Sequence, residues 1–462
     1  MMFLKNNQRL LIIVLAVLWS WVAVAWGNDS IPFLYRGHLY LPACINNEHQ
    51  ANVIFDTGGS DLFGIDSVYL SASEWHPQSL GRARTGGAAG GTSVRVIMDL
   101  TPLSIGSLKS TYQIVPIFKL RDVVDCHVDG IWGIKDIEQH PLEINFEHSF
   151  LKYYKDGNPL VEDYEKLPIR CHDHRIQVQA EVLVGGKSIQ GWFLVDTGSG
   201  AAVDFTASTV KQYGLESLSG KRYVKEMTQF GIGDKSQESI IEMQSQRIVI
   251  GSDTTSNEVI SYLPDGTGAF GQKDYVGIIG NKVLSKFNLI IDIPHSVLYL
   301  KRFKADQPVK ATYDFDFRNR TDIGKGWIVS SLTRNGDAAQ AGLQLNDRIT
   351  AVNSRPVEDY SWEEEYRIDE VPQITLDIIT ANGESRQITL SPEVRWSCKS
   401  GYNNTASGQS APSLCLYRLI KRTNTTINIQ KLSYNLPRNV IFTISWQIMA
   451  HIFGIKLCCF KK

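Results

Sequence analysis

The chain has few of the features that mark nucleic-acid-binding, disulfide-scaffold or serine hydrolase proteins. Its 462 residues carry 47 basic and 48 acidic side chains without a long basic run, so no nucleic acid or anionic membrane surface is indicated as a partner. The seven cysteines form neither a C-x-x-C pair nor a regular framework, so their spacing does not dictate disulfides. No G-x-S-x-G nucleophile elbow is present.

Two short motifs suggest a cofactor or a metal, but both are better explained as loops. Gly266–Gly271 matches the dinucleotide glycine pattern, yet it follows Pro264-Asp265 and does not run from a strand into a long helix. Cys171–His174 offers thiol and imidazole groups that lie too close in sequence for a tetrahedral site. The sequence therefore predicts no metal and no cofactor.

The two ends of the chain differ from its body. Lys5 and Arg9 precede an apolar run, Leu10–Ala25, which predicts a secretory signal peptide over residues 1–27. An uncleaved membrane anchor is the alternative, because the run is only slightly shorter than a bilayer span. Either way the body of the protein is expected outside the cytoplasm, secreted or periplasmic.

The tail, residues 397–462, gives no clear structural pattern. Its apolar stretch 440–455 favours a packed or interfacial helix over a membrane span. Cys398 and Cys415 flank a polar segment and are the first choice for a disulfide.

The chain does contain a repeated Asp-Thr-Gly tripeptide, at Asp56–Gly58 and Asp196–Gly198, each time directly after an apolar run. A single copy would be read as an ordinary turn. Two carboxyls that face each other cannot both ionise comfortably, so one keeps its proton while the other acts as base toward water. A matched pair therefore predicts a shared catalytic site.

The sequence similarity between the two copies extends beyond the tripeptide to a whole lobe. Gly130–Gly133 matches Gly277–Gly280, and the match continues without a gap. The aligned residues are Leu142, Ile144, His148, Ser149 and Leu151 in one copy and Leu289, Ile291, His295, Ser296 and Leu298 in the other. Such a duplication predicts two similar β lobes, residues 38–154 and 175–303, joined by a polar linker, 155–174.

Equivalent loops of two such lobes meet at the pseudo-twofold axis, which would bring Asp56 and Asp196 together. The threonines can then hydrogen-bond across the axis, and the glycines allow backbone conformations that a side chain would forbid. The supporting residues are Thr57, Gly58, Thr197 and Gly198.

These motifs resemble the aspartic peptidases of the pepsin and retropepsin type, and the compact retropepsin-like bacterial proteins in particular. The resemblance implies that Asp56 and Asp196 are the catalytic pair and activate water to attack a peptide carbonyl without a covalent intermediate. It also implies a substrate-covering flap, for which Gly86, Gly87, Gly90 and Gly91 are the candidates, with Phe230–Gly233 as the counterpart. Neither segment contains the tyrosine that is typical of pepsin flaps.

Residues 311–393 resemble a PDZ domain of the kind attached to bacterial envelope proteases. The resemblance rests on Asn335–Leu343 and on the strand and turn over Asn346–Asn353. It implies that backbone amides hold a peptide C-terminus beside a strand. The candidate carboxylate loop is Gly324, Lys325, Gly326 and Trp327.

The sequence thus predicts a mainly β protein with two acid-protease-type barrel lobes and a small α+β PDZ-like domain. The expected function is a secreted or envelope aspartic endopeptidase that acts on peptide or protein substrates, as a two-lobed monomer rather than an obligate homodimer. The alternative is a catalytically inactive envelope protein that binds peptides through its PDZ-like domain.

Overall fold

The computed structural model describes residues 30–59 and 63–396, which form a mainly β protein. The expected signal peptide, the Cys398–Cys415 pair and the tail lie outside the described residues. The described residues all belong to one compact unit. Within them, no helix has both the length and the apolar character needed to cross a membrane.

The first repeat, residues 30–153, is built almost entirely of strands. They are β1 (Ser30–Pro32), β2 (Leu34–Arg36), β3 (His38–Ile45), β4 (His49–Phe55), β5 (Phe63–Asp66), β6 (Leu80–Gly87), β7 (Gly90–Ile97), β8 (Thr101–Ile105), β9 (Leu108–Tyr112), β10 (Val115–Phe118), β11 (Gly130–Trp132), β12 (Leu142–Asn145) and β13 (Phe150–Tyr153), with helix α1 (Ser67–Ala72) after β5. β11 runs parallel to β4 and antiparallel to β5 within a ten-stranded sheet.

The second repeat, residues 165–302, has the same local topology. Its elements are β14 (Glu165–His172), β15 (Arg175–Val184), β16 (Lys187–Val195), β17 (Val203–Phe205), α2 (Ala207–Tyr213), β18 (Arg222–Thr228), β19 (Gln237–Ile250), β20 (Asp253–Thr255), β21 (Val259–Tyr262), β22 (Gly277–Ile279), α3 (Asn281–Leu284), β23 (Phe287–Asp292) and β24 (Val297–Arg302). β22 runs parallel to β16 and antiparallel to β17, as β11 does with β4 and β5. The glycine motif before β22 is a loop with one 3-10 turn, Gly268–Gly271, as predicted.

The two repeats join through the antiparallel pair β12 and β23. Leu142 pairs with Ile291, and Ile144 pairs with Leu289. Leu142 and Leu289 are equivalent positions of the duplication, as are Ile144 and Ile291. Such crosswise pairing is the pattern that a twofold axis between the repeats requires.

The predicted linker, 155–174, is wrong in its second part, because residues 165–172 form strand β14. β14 pairs with β24 through Leu167 and Leu298, as β1 pairs with β13 through Ile31 and Leu151. Charged neighbours and a proline obscured this strand, although alternate apolar side chains are buried along it. The second repeat therefore begins before residue 175.

The third module, residues 311–396, has an apolar cluster of its own around the fully buried Trp327. Its elements are β25 (Phe315–Asn319), β26 (Trp327–Thr333), α4 (Asp337–Gln340), β27 (Arg348–Val352), β28 (Arg355–Pro356), α5 (Trp362–Tyr366), β29 (Ile374–Ile379) and β30 (Ser385–Leu390). β26 also pairs with β18 along Ser331–Thr333, so the module continues the sheet of the second repeat.

Candidate active site

The two aspartates occupy equivalent positions, each directly after a strand. The Asp56 amide follows β4 and donates to the carbonyl of Trp132, 2.9 Å away, at the end of β11. The Asp196 amide follows β16 and donates to the carbonyl of Ile279, 3.0 Å away, at the end of β22. The Gly-apolar-apolar-Gly segments therefore hold both loops, because they supply these acceptors.

Reciprocal hydrogen bonds between two buried threonines tie the loops together. The amide of Thr57 donates to Oγ1 of Thr197 at 3.1 Å, and the amide of Thr197 donates to Oγ1 of Thr57 at 3.0 Å. Each hydroxyl in turn donates to a carbonyl of the opposite strand, Val195 at 2.6 Å and Phe55 at 2.8 Å. Because both threonines are fully buried, no water competes for these four bonds.

The carboxyls of Asp56 and Asp196 are hydrogen-bonded to each other. Each also accepts a 2.8 Å hydrogen bond from the glycine amide two residues further along, Gly58 or Gly198. A Cβ added to Gly58 would lie 2.6 Å from Cγ of Asp196, and one added to Gly198 would collide with the Asp56 carboxyl. The glycine of each loop therefore makes room for the carboxyl of the other.

The pair is arranged to hold one proton. Burial raises the pKa of Asp56 above its usual 3.8, although the hydrogen bond from Asp196 opposes this rise. Burial also raises the pKa of Asp196 well above 3.8, and the neighbouring Asp56 charge raises it further. Two such coupled carboxyls titrate as a unit, with one protonated and one ionised over a range of pH.

Asn281 supports the second loop and was missed by sequence reasoning. Its side-chain amide donates to the carbonyls of Thr197, at 2.7 Å, and Gly37, at 2.8 Å. Asn281 is fully buried and directly follows the Gly277–Gly280 motif. That position next to the motif was the only sequence signal, and the first repeat has Ile134 there instead.

The candidate flap and its counterpart are hairpin tips that bind each other. Gly86, Gly87, Gly90 and Gly91 lie at the turn between β6 and β7, and Phe230–Gly233 lies between β18 and β19. The Ala89 amide donates to the carbonyl of Ile232 at 3.0 Å. A Cβ added to Gly231 would lie 2.5 Å from Cβ of Ala88, so glycine is needed for this approach.

A wall of buried apolar side chains flanks each aspartate. The first wall is centred on Ile54, Ile131 and Tyr40, which pair on neighbouring strands. The second wall is centred on Leu194, Ile278 and Tyr275. The side chains packed on the first wall include Val94, Ile232 and Trp362, and those on the second include Ala269. Trp362 comes from α5 of the third module, and no local sequence pattern indicated this position.

The candidate carboxylate loop lies in the turn from β25 to β26. The amide of Gly324 donates to the carbonyl of Thr321, and that of Lys325 to the carbonyl of Arg320, both at 3.0 Å. Further along β26, the edge at Ser331–Thr333 is paired with β18. These amides and this edge are therefore satisfied within the chain.

A cavity of about 650 Å³ is lined by residues of the β18–β19 hairpin and of the third module. Its basic lining residues are Arg318, Arg320, Lys325 and Arg348. The Arg320 guanidinium pairs with Asp122, which also lines the cavity. This lining suits an anion, but neither the aspartates nor the glycines of the hairpin tips contribute to it.

A scan against protein-family models finds no match for this chain, and a search of curated proteins finds none either. Among the described residues, no group of three or more His, Cys, Asp and Glu side chains is placed to hold a metal ion. The geometry of the two Asp-Thr-Gly loops is therefore the feature that points to a function.

Proposed function

We propose that the chain is an aspartic endopeptidase that resembles the pepsin and retropepsin type, with two similar lobes and a PDZ-like module in one chain. The observation that supports it most is the pair of Asp-Thr-Gly loops, whose threonines exchange hydrogen bonds and whose carboxyls share one. Because both loops come from the same chain, one copy suffices and no homodimer is required.

In the proposed reaction a water molecule lies between the carboxyls of Asp56 and Asp196. The ionised carboxyl takes a proton from this water as its oxygen attacks the peptide carbonyl carbon, and the protonated carboxyl gives its proton to the carbonyl oxygen. In the resulting diol, one hydroxyl returns a proton to the newly ionised carboxyl. The other carboxyl protonates the amide nitrogen, the C–N bond breaks, and the pair again holds one proton.

The hairpin tips fit the role of a two-part cover. In a peptidase of this type the tips would cover the carboxyls, and the backbone hydrogen bond between Ala89 and Ile232 would then have to open to admit a polypeptide. Closure afterwards excludes water, which strengthens the electrostatic interactions at the carboxyls. The contact of Ile232 with the first wall provides an apolar lining that does not depend on a flap tyrosine.

The alternative function, peptide binding by the PDZ-like module alone, has less support. A bound peptide would need free amides at Gly324 and Lys325 and a free edge on β26. The two amides are used within their own turn, and β18 takes the edge at Ser331–Thr333. Secretion or an envelope location remains a prediction.

The pH dependence of kcat/KM tests the proposal. Cleavage needs one protonated and one ionised carboxyl, so the profile should be bell-shaped. Because the pKa of each aspartate is raised above 3.8, both limbs should lie above that value. Activity should fall at low pH as both carboxyls gain protons and at high pH as both lose them.

The measurement uses a mixed peptide library with products identified by mass spectrometry at each pH. If kcat/KM still increases as the pH is lowered past 3.8, the usual aspartate pKa, the raised pKa values of the two aspartates would be contradicted. Absence of cleavage by the parent from about pH 3 to pH 8, the range around the optima of carboxyl catalysts, would refute the peptidase proposal.

A further inference from the structure

The first wall faces the same side of the sheet as the catalytic loop. Successive side chains of a strand point to opposite faces, so Ile54 is directed like Asp56, two residues later, while Phe55 lies in the main core. Ile131 and Tyr40 pair with Ile54 across the sheet and share its face. A substrate side chain next to the bond under attack would therefore be directed toward this face, where Ile54, Ile131 and Tyr40 are covered by other side chains.

The two walls are covered differently although the repeats are equivalent. On the first wall, side chains from three separate elements converge, Val94 from β7, Ile232 from a hairpin tip and Trp362 from α5. On the second wall, the partly buried side chain packed against the cluster is the small Ala269. Among the described residues, the third module thus adds a large indole to the first wall and none to the second.

Aromatic contacts hold Trp362 in place. Its ring stacks on His127, with centroids 4.2 Å apart and planes 17° apart. It also meets the Tyr40 ring edge to face at 4.7 Å. Such ring pairs stabilise the packing beyond the area they bury. At the start of α5, Ser361 and Glu364 form a capping box that stabilises the helix.

Polar contacts fix the rest of α5 to the first repeat and to β25. Arg36 pairs with Glu363 and lies over the ring of Tyr366, 5.2 Å from its centroid. The Glu365 carboxylate accepts a 2.6 Å hydrogen bond from Asn319 and lies 3.5 Å from Nε2 of His127. These contacts and the aromatic ones hold α5 against the first repeat and β25, so the helix forms part of the wall.

We propose that Trp362 sets the depth of an apolar subsite beside Asp56, so that peptides with a small aliphatic side chain at this position are selected. The inference rests on the proposed function, because the subsite is defined by its place next to the bond that is cleaved. In this arrangement the third module forms part of the substrate cleft.

The test compares Trp362→Ala and Trp362→Phe with the parent protein. The substrates are peptide pairs that differ only by Ala or Phe at one residue, placed on each side of the scissile bond in turn. Removal of the indole should raise the Phe-to-Ala ratio of kcat/KM by about tenfold or more at one of these positions. Trp362→Phe should give a smaller shift in the same direction.

Trp396→Ala is the matched control, because Trp396 is another tryptophan of the third module, buried against the second repeat with its ring 4.8 Å from that of Tyr223. It should leave the ratio unchanged. An unchanged ratio in Trp362→Ala would overturn the inference. An equal increase in kcat/KM for all peptides would also overturn it, because Trp362 would then block access to the cleft without selecting among side chains. Urea unfolding identifies variants that fail to fold. If Trp362→Ala is one of them, the ratio measured for Trp362→Phe is compared with that of the parent.

A second readout separates this inference from the proposed function. Binding of the same intact peptides is measured by calorimetry in an Asp56→Asn background, with and without Trp362→Ala. If the parent cleaves nothing, the peptidase proposal fails and the subsite beside the scissile bond fails with it, while a shifted affinity ratio would show that Trp362 limits a site for bound peptides. If Asp56→Asn abolishes cleavage and the affinity ratio does not move, the subsite fails alone.

Discussion

Replacement of Asp56 or of Asp196 by asparagine should lower kcat/KM for peptide cleavage by about 10³-fold or more, near the upper range for loss of acid–base catalysis. Asparagine has the same shape and its oxygen can still accept the 2.8 Å hydrogen bond from Gly58 or Gly198. It can neither take a proton from water nor give one to the leaving nitrogen. The loops should therefore remain folded while the reaction stops.

Asp292→Asn is the matched control for this experiment. Asp292 is a buried carboxylate in the second repeat whose equivalent in the first repeat is Asn145. Each accepts a backbone hydrogen bond three residues on, from His295 at 3.2 Å and from His148 at 2.9 Å. Asp292→Asn should retain cleavage close to that of the parent. Parental rates in either active-site variant would refute the shared-carboxyl mechanism.

Thr197→Val should lower the free energy of unfolding by about 2–5 kcal/mol, measured by urea denaturation, because it leaves two buried backbone groups without partners. The groups are the amide of Thr57 and the carbonyl of Phe55. Valine matches threonine in shape, so packing changes little. Cleavage should fall as well, since the Asp56 and Asp196 loops would lose half of the bonds between the threonines.

Thr197→Ser separates the hydroxyl from the methyl group. Serine keeps both hydrogen bonds and loses one buried methyl, so the expected cost is about 1 kcal/mol. If Thr197→Val is as stable as Thr197→Ser, the bonds between the threonines contribute little to the joining of the repeats, and the proposed role of Thr197 is wrong.

Much of the candidate site could be predicted from the sequence because it depends on local chemistry that occurs twice. The Asp-Thr-Gly loops follow strands, and the matching turns at Asn46-Asn47 and Gly185-Gly186 have positive φ angles that asparagine and glycine favour. A duplicated pattern also implies a twofold relation, and the crosswise pairing of β12 with β23 is the register that such a relation requires.

Other features depended on contacts that no short stretch of sequence encodes. β14 was hidden because its charged residues suit a linker as well as an outer strand, and only its pairing with β24 decides between them. The PDZ-like pattern around Gly324 and Lys325 implied free amides, but the folded turn uses them internally. A sequence pattern locates such a segment but does not show whether its backbone amides already have hydrogen-bond partners within the chain.

The amino-acid sequence was sufficient for the mainly β class, the duplication and the two aspartates, because strand alternation, turn residues and a repeated motif act over a few neighbouring residues. The meeting of Ala89 with Ile232 and the position of Trp362 beside Tyr40 could be seen only in the folded chain. Tyr40 and Trp362 are some three hundred residues apart, and their rings meet because the third module contacts both repeats, the first through the Arg36–Glu363 pair and the second through β18. Burial of apolar surface drives such docking, but the hydrophobic effect is non-directional. The residues that come into contact are therefore decided by the complementary shapes of the folded modules.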